Sequence, residues 1–396
     1  MKKPLALFGL SVLVCAGLVA SGCLGSPPPP PTGSCDKGSV TFGTILSYSG
    51  QLGSIAKVMK QGMQVAVDDI NANGCINGKK LTLDILGDDR LDQTTAVQVY
   101  REMVGKGYKG IIGSIASSVT QSIINSNEDD PKGAVLISSA STAVILTNPS
   151  GTNPPKRFFR TIPNDGIQGP AAATAIVDKL GFKKIGLLYQ DEIYGQGLKA
   201  TFVPALTAKG GSIVAEGKFP PQTVSFTQEV DTVLAASPDV IFIPAFFKEQ
   251  AYLVGEIRAK NPTVPIVCSE AFENHEIFQI TPQSKLQGTY FMKAAVDEAN
   301  AGVKARHDAF VTNYSKKPGF GQPDAFADYS YDAVIVIAEA LRAKGDTASA
   351  DDLQTYIHGA TFKSTITREI SFQAIGDIVG GSYDLYKITG TDFVPA

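Results

Sequence analysis

Short apolar runs alternate along the chain with longer segments in which apolar residues recur at helical spacing. Runs such as Gly110–Gly113 and Val240–Pro244 are typical of strands buried on both faces. The segment from Ile55 to Asn73 has one apolar face and ends at Asn73–Gly74, which is a helix stop. This alternation predicts parallel sheets covered by helices.

The predicted elements form two successive sets. The first set has strands at 40–46, 81–86, 110–113 and 134–138 and helices at 55–73, 93–106 and from 117 onward. The second has helices at 169–180, 195–209, 226–236 and 250–260 and strands at 184–189, 212–216, 240–244 and 265–268. The tail departs from the pattern, with strands at 288–293 and 382–388 and a helix at 326–344. We predict an α/β fold of two doubly wound lobes that share the tail, with a ligand cleft at the carboxyl ends of the strands.

Length and composition narrow the function. A chain of 396 residues exceeds one domain, and 43% hydrophobic with 18% charged residues is ordinary globular composition. The 35 basic and 38 acidic residues leave no basic excess, which argues against a nucleic-acid-binding protein. The three histidines lack metal-ligand spacing, and neither a nucleophile elbow nor a phosphate-binding loop occurs. The sequence therefore predicts no metal, no cofactor and no catalysis.

The N-terminus is typical of an exported lipoprotein. Two lysines precede an apolar run at 5–20, which is short for a membrane span, and small residues lead to Cys23. This ending resembles a lipobox, so we expect residues 1–22 to be a signal peptide and Cys23 to carry lipid. Residues 23–37, with prolines at 27–31, would then tether the folded chain to a membrane. An ordinary secretory signal with an incidental cysteine is the alternative.

The remaining cysteines fit an oxidising compartment. Cys35 and Cys75 could pair there as a disulfide. Cys268 would be left as a lone thiol, and its apolar neighbours predict that it is buried.

Seven groups of residues carry a family resemblance through their order and spacing. They are 43–50; 66–74 with 77–78; 113–120; 137–142 with 146–147; 159–161 with 168–169; 189–197; and Glu270. Together they resemble the type I periplasmic binding proteins, in particular the branched-chain amino acid receptors that serve ABC transporters.

This resemblance implies a Venus-flytrap architecture with three hinge strands. We expect the chain to cross between the lobes near Arg160–Pro163, Gly288–Phe291 and Ile366–Gln373. Lobe 1 would comprise 38–160 with 290–366, and lobe 2 would comprise 161–289 with 367–396.

The predicted first-lobe half of the site is rich in hydroxyl groups. Ser117 and Ser118 follow a buried strand and open a helix, where free N–H groups and the positive dipole end favour a carboxylate. The resemblance implies that Ser117, Ala140 and Thr142 hold the α-carboxylate of the ligand, with Ser118 assisting. Helix capping and turn formation are the alternative roles of such residues.

The predicted second-lobe half supplies a charge and an apolar wall. The resemblance implies that Glu270 takes the ligand ammonium, through a charge-assisted bond that is stronger than a neutral one, and that Tyr194 closes over the ligand backbone. Phe246 stands where the branched-chain receptors often have Tyr, and Ile55 where some relatives have an aromatic residue. Phe326 is an additional candidate, with a place in the core as its alternative. Glu270 could instead be a surface residue on a loop.

The function implied is that of an extracytoplasmic solute-binding protein. It would be a monomer in the periplasm or cell envelope, anchored to the membrane only through lipid. It would bind a small branched-chain or similar apolar amino acid and deliver it to an ABC permease and its ATPase. Two alternatives remain. The first is a receptor for an amine-free aromatic or aliphatic carboxylate, since the changes at Phe246 and Ile55 leave the identity of the ligand side chain undecided. The second is a ligand sensor for a membrane signalling partner.

Overall fold

A computed structural model describes residues 34–128, 130–148 and 154–396. The predicted signal peptide, Cys23 and most of the predicted tether lie outside the described residues. Within the described ranges, no helix has both the length and the apolar character needed to cross a bilayer.

The first sheet is made of five parallel strands in the order β2-β1-β3-β4-β5. Their bounds are β1 Ser39–Leu46, β2 Lys80–Asp88, β3 Gly110–Gly113, β4 Val135–Ser138 and β5 Phe158–Arg160. Every residue of β3 and β4 is buried, as the continuous apolar runs predict. The order reverses between β1 and β3, so a crevice opens beyond the carboxyl ends of these strands.

Helices cover this sheet, and we call the sheet with these helices the first lobe. They are α1 Gly53–Ala72, α2 Gln93–Gly105, α3 Ser117–Glu128, α10 Ala301–Ser315, α11 Ala327–Lys344 and α12 Ala350–Gly359. At the crossing of α1 and α11, a Cβ on Gly62 would lie 2.0 Å from the carbonyl oxygen of Ala327. Only glycine permits this approach of two helix backbones.

The second sheet has seven strands in the order β12-β11-β10-β9-β8-β6-β7. Their bounds are β6 Lys184–Gln190, β7 Ser212–Phe219, β8 Val240–Ile243, β9 Ile266–Cys268, β10 Tyr290–Ala294, β11 Tyr383–Thr389 and β12 Asp392–Pro395. Strands β6 to β10 are parallel and repeat the strand order of the first sheet, whereas β11 and β12 are antiparallel. Two doubly wound parallel sheets were predicted, and this prediction is confirmed.

Helices also cover the second sheet, and together with it they form the second lobe. They are α4 Asp165–Thr174, α5 Ile193–Ala208, α6 Thr227–Ala235, α7 Phe247–Lys260, α8 Ile277–Ile280 and α9 Gln283–Leu286. Helix α4 begins four residues before the predicted start at Gly169, because the side chain of Asn164 accepts the N–H of Gly166 and caps the helix there.

The predicted lobe boundaries need correction at the second and third crossings. Residues 290–294, assigned to lobe 1, form β10 inside the second sheet between β9 and β11. The second crossing therefore follows β10, where the N–H of Asp297 donates to the carbonyl of Thr367. The tail stays beside the first sheet as far as Asp377, which forms a bridge with Arg160 at the end of β5. An apolar run predicts a strand but does not tell which of two sheets it joins.

The cysteines lie at two separate places. Cys35 and Cys75 form a disulfide with Cα atoms 5.8 Å apart, which ties the segment before β1 to the turn after α1. Cys268 is a free thiol buried at the end of β9.

Candidate functional site

The candidate site lies where the carboxyl ends of the strands in the two sheets face each other. A cavity of about 20 Å³ opens there. Its lining comes from both lobes: Ile55, Ile115, Ser117, Ala140 and Phe326 from the first, and Tyr194, Phe246, Glu270 and Ala271 from the second. Six of the eight residues predicted for ligand binding line this cavity, and so does the additional candidate Phe326.

The first-lobe half is built from the start of α3 and the loop after β4. Ser117 is the first residue of α3, and its hydroxyl oxygen lies 3.4 Å from the backbone N–H of Ala143. Thr142 does not line the cavity, but its hydroxyl lies 3.5 Å from a carboxylate oxygen of Glu270. Hydroxyl and backbone groups of the first lobe therefore face the carboxylate of the second.

A buried arginine holds the loop that carries these residues. Arg160 is fully buried, and its guanidinium donates to the backbone carbonyls of Ala143 at 2.9 Å and Ser141 at 3.3 Å. The same guanidinium donates to the hydroxyl of Thr147 at 2.7 Å and forms an ion pair with Asp377. The loop is therefore fixed by bonds that do not involve a ligand.

Glu270 occupies the turn directly after β9, and the structure buries it. Its side chain accepts a hydrogen bond of 2.7 Å from the hydroxyl of Tyr194, and its backbone N–H donates to the side chain of Gln168 at 3.2 Å. The residue is 3% exposed, so Glu270 is not a surface residue in this structure.

A second carboxyl group lies buried beside Glu270. Asp165, at the start of α4, is fully buried; one of its oxygens accepts from Gln168, and the other has no hydrogen-bond partner. Burial raises the pKa of Glu270 to about 7, because the charged form loses its hydration. Burial, followed by the nearby charge of Glu270, raises the pKa of Asp165 well above its ordinary value. The pair favours a positive group between the lobes.

Aromatic rings form the apolar wall of the cavity. The rings of Tyr194 and Phe246 are parallel, with an interplanar angle of 1° and centroids 5.9 Å apart. Ile55 and Phe326 face the cavity from the first lobe and are 2% and 4% exposed. These surfaces suit an apolar ligand side chain.

Ser118, which was predicted to assist in binding the ligand carboxylate, lies beside the cavity. It does not line the cavity, and its backbone N–H donates instead to a carboxylate oxygen of Glu192 at 3.2 Å. The other oxygen of Glu192 accepts the N–H of Tyr194 at 2.7 Å. A side chain of the second lobe therefore occupies the donor that was predicted to assist with the ligand carboxylate.

A larger cavity of about 200 Å³ adjoins the small one and shares Glu270 and Phe326 with it. Its wall includes an ion pair between the half-buried Lys293 and the buried Glu273, and it also includes Phe310. The cleft therefore offers additional volume next to Glu270. In the described part of the chain, no group of three His, Cys, Asp or Glu side chains is arranged to hold a metal ion.

Sequence reasoning missed three residues near the site: Asp165, Gln168 and Glu192. Each lies at the start of a helix, where a polar side chain is usually assigned to capping. The contacts that Asp165 and Glu192 make with the opposite lobe give no local signal in the sequence, because they depend on the packing of distant segments.

Most of the chain matches one known protein family. Residues 39–390 match the model of a family described as periplasmic binding protein. The chain belongs to this family, whose members are extracytoplasmic substrate-binding proteins for transport.

Two relatives illustrate the similarity in sequence. The chain is 24% identical over 348 residues to the Leu/Ile/Val-binding protein BraC3 of Rhizobium johnstonii, covering 88% of this chain and 91% of the relative. It is 26% identical over 347 residues to the Leu/Ile/Val/Thr-binding protein of Salmonella typhimurium, covering 88% of this chain and 90% of the relative.

Solved structures share the fold. LivJ of Streptococcus pneumoniae, in complex with isoleucine, superposes with a TM-score of 0.80 at 23% identity, covering 90% of this chain and 97% of the other. A solute-binding protein of R. palustris in complex with benzoate superposes with a TM-score of 0.78 at 20% identity, covering 90% and 95%. The predicted type I periplasmic binding protein fold is confirmed.

Proposed function

We propose that the chain is the solute-binding protein of an ABC importer and that it binds a branched-chain or similar apolar amino acid between its lobes. In this proposal Ser117 and the backbone at Ala140 bind the ligand carboxylate, Glu270 binds the ammonium, and the ring of Phe246 contacts the side chain. The ligand touches both lobes only when they are closed, so binding favours the closed form. The permease and its ATPase would then receive the closed complex.

One observation carries the proposal: Ser117 and Ala140 of the first lobe line the same cavity as Glu270 of the second. A zwitterion carries one negative and one positive group, and these residues offer donors for the first and a carboxylate for the second. The stacked rings of Tyr194 and Phe246 leave the remaining wall apolar. The names of the relatives, which specify Leu/Ile/Val binding, support the same ligand class.

A ligand screen tests the proposal directly. The mature chain would be titrated in a calorimeter with L-leucine, L-isoleucine and L-valine, and its melting temperature would be measured with each. Binding raises the melting temperature by mass action, and a hundredfold excess of ligand over Kd stabilises the fold by about 2.7 kcal/mol. The absence of binding for all three amino acids would contradict the proposed ligand class.

An amine-free carboxylate is the second candidate, because the carboxylate of Glu270 already accepts a bond from Tyr194 and its pKa is raised to about 7. A protonated Glu270 would not attract an ammonium. The structural neighbour in complex with benzoate supports keeping this class in the screen. Tighter binding of benzoate than of leucine would favour it.

We also propose that Cys23 carries the lipid that anchors the protein to the membrane. The support is the sequence of the export segment alone. Cys23→Ser should leave an unprocessed precursor that no longer partitions into the detergent phase. Unchanged partitioning of this variant would contradict the anchor and would leave the ligand proposal intact.

A further inference from the structure

One carboxylate joins the first turns of two helices that belong to opposite lobes. Glu192 immediately precedes α5, and its two oxygens bind different amides: Tyr194 N–H in its own helix at 2.7 Å and Ser118 N–H in α3 at 3.2 Å. Both amides are second residues of their helices, where backbone N–H groups have no partner within the helix. We propose that Glu192 is a positioning residue that holds the closed form of the receptor and aligns both halves of the ligand site.

The charge of Glu192 is suited to this place. Each helix start carries about half a positive charge, so two helix starts that approach each other repel unless an anion lies between them. Helices α3 and α5 are in contact here. Helix α5 also lies close to the loop after β4, because a Cβ on Gly197 would lie 3.6 Å from the side chain of Ala143. The carboxylate of Glu192 therefore compensates two positive ends with a single side chain.

Glu192 contacts residues next to the predicted ligand site in both lobes, and we call this pair of hydrogen bonds the bridge. In the first lobe Glu192 accepts the N–H of Ser118, whose neighbour Ser117 lines the cavity. In the second lobe it fixes the backbone of Tyr194, whose hydroxyl binds Glu270. When the lobes separate, Glu192 keeps its cap on α5 and loses only the bond to Ser118. The bond across the lobes therefore contributes to closure and the bond within the lobe to folding.

Two substitutions separate these contributions. In Glu192→Gln one of the two oxygens becomes an amide NH2, which is a donor and cannot accept from a backbone N–H. Because Tyr194 and Ser118 bind different oxygens of Glu192, a glutamine that keeps the cap on Tyr194 loses the acceptor for Ser118. In Glu192→Asp both oxygens and the charge remain, and aspartate is a good cap, but the side chain is one methylene shorter and cannot reach across the lobes. Asp191→Asn is the matched control: it removes the same charge one residue away, and the side chain of Asp191 accepts hydrogen bonds from Gln196 and Lys218 of its own lobe.

The experiment measures L-leucine binding by stopped flow and the distance between spin labels placed one on each lobe. Glu192→Gln and Glu192→Asp should each release leucine about tenfold faster, as expected for the loss of one charge-assisted bond. Their association rates and ligand-free melting temperatures should stay near the wild-type values, and Asp191→Asn should release leucine as wild type does. A purely structural role would lower the ligand-free melting temperature of Glu192→Gln and leave Glu192→Asp unaffected.

The role of Glu192 rests on the proposed function as a receptor that closes around its ligand, but its test is separate from that of the ligand. Wild-type dissociation rates in both variants at position 192 would overturn it while confirming that leucine binds. If leucine does not bind the wild type, the proposed ligand is wrong. The spin-label distances measured without ligand then test whether Glu192 holds the lobes together. A longer mean distance in Glu192→Gln than in the wild type would then support the bridge, and identical distances would overturn it.

Discussion

Replacing Glu270 by glutamine measures how much the charge of this buried carboxylate contributes to ligand binding. Glu270→Gln keeps the shape of the side chain and an oxygen that can accept from Tyr194, 2.7 Å away in the wild type. It removes the charge that would face the ligand ammonium. A hydrogen bond to a charged group contributes about 1.5–3 kcal/mol net, so the affinity for leucine should fall about tenfold to 150-fold.

The acidity of Glu270 adds a pH dependence to this prediction. With a pKa of about 7, Glu270 takes up a proton as the pH falls through neutrality, and the protonated form does not attract an ammonium. Because the protonated form should bind leucine about as weakly as Glu270→Gln does, the wild-type affinity should fall by about 7-fold to 25-fold between pH 8 and pH 5.5. The affinity of Glu270→Gln should change little over this range.

The sign of the stability effect is opposite to that of an ordinary carboxylate. The pKa of Glu270 in the folded chain lies above its ordinary value of 4.5, so between about pH 4.5 and pH 7 the folded state binds more protons than the unfolded state. The ligand-free wild type should lose stability as the pH rises through this window. Glu270→Gln lacks this loss and should melt at a higher temperature than the wild type at pH 8.

Calorimetry with leucine and thermal melts across pH test both effects. Glu276→Gln is the control, because Glu276 is only six residues further along the chain, pairs with Lys248 at 3.1 Å and lines neither of the two cavities. Unchanged leucine affinity in Glu270→Gln at pH 8 would refute the assignment of the ammonium to Glu270. A wild-type leucine affinity that does not vary with pH would refute the claim that protonation of Glu270 weakens binding.

Three further predictions concern stability and can be measured by thermal or denaturant unfolding. Gly62→Ala forces a methyl group against the carbonyl of Ala327, 2.0 Å away, and should destabilise the fold by at least about 2 kcal/mol; a loss below 1 kcal/mol would show that the helices separate easily. Cys75→Ser opens a disulfide that spans 40 residues and should cost about 3–4 kcal/mol, as should reduction of the wild type, and equal stability with and without reductant would contradict this. The hydrogen bond between the imidazole ring of His275 and the carboxylate of Asp324 raises the pKa of His275. This pair therefore stabilises the fold fully below about pH 6.5 and loses its effect as the pH rises through the raised value. His275→Gln should remove that part of the pH dependence, and parallel pH profiles of the two proteins would argue against it.

The sequence was sufficient for elements whose pattern is local. Strand β3 was predicted at its observed bounds because four consecutive residues are buried on both faces. Helix α10 was missed because few of its residues face the core, and the buried ones, Val303, Phe310 and Tyr314, form no continuous apolar stripe. Helix α12 was missed although Ser349 and Asp352 form a capping box, a signal that the sequence contains.

The site was predictable where the chemistry of a residue and its place after a strand coincide. Ser117 and Glu270 each follow a strand end and line the cavity as expected. Asp165 and Glu192 were not predicted because their partners lie in the opposite lobe. The N–H of Asp165 donates to the carbonyl of Thr142, and Glu192 accepts the N–H of Ser118. Contacts between segments far apart in the chain leave no periodic trace in the sequence.

The bonds that Arg160 makes affect the order of events in binding. Its guanidinium donates to Ser141, Ala143 and Thr147 and pairs with Asp377, so its partners are all groups of the protein itself. A solute arriving at the open receptor therefore meets a surface that needs no rearrangement, and little conformational entropy is lost in that first encounter. The association rate should then be set by diffusion and docking alone. The residence time of the solute should depend on how long the two lobes stay closed around it.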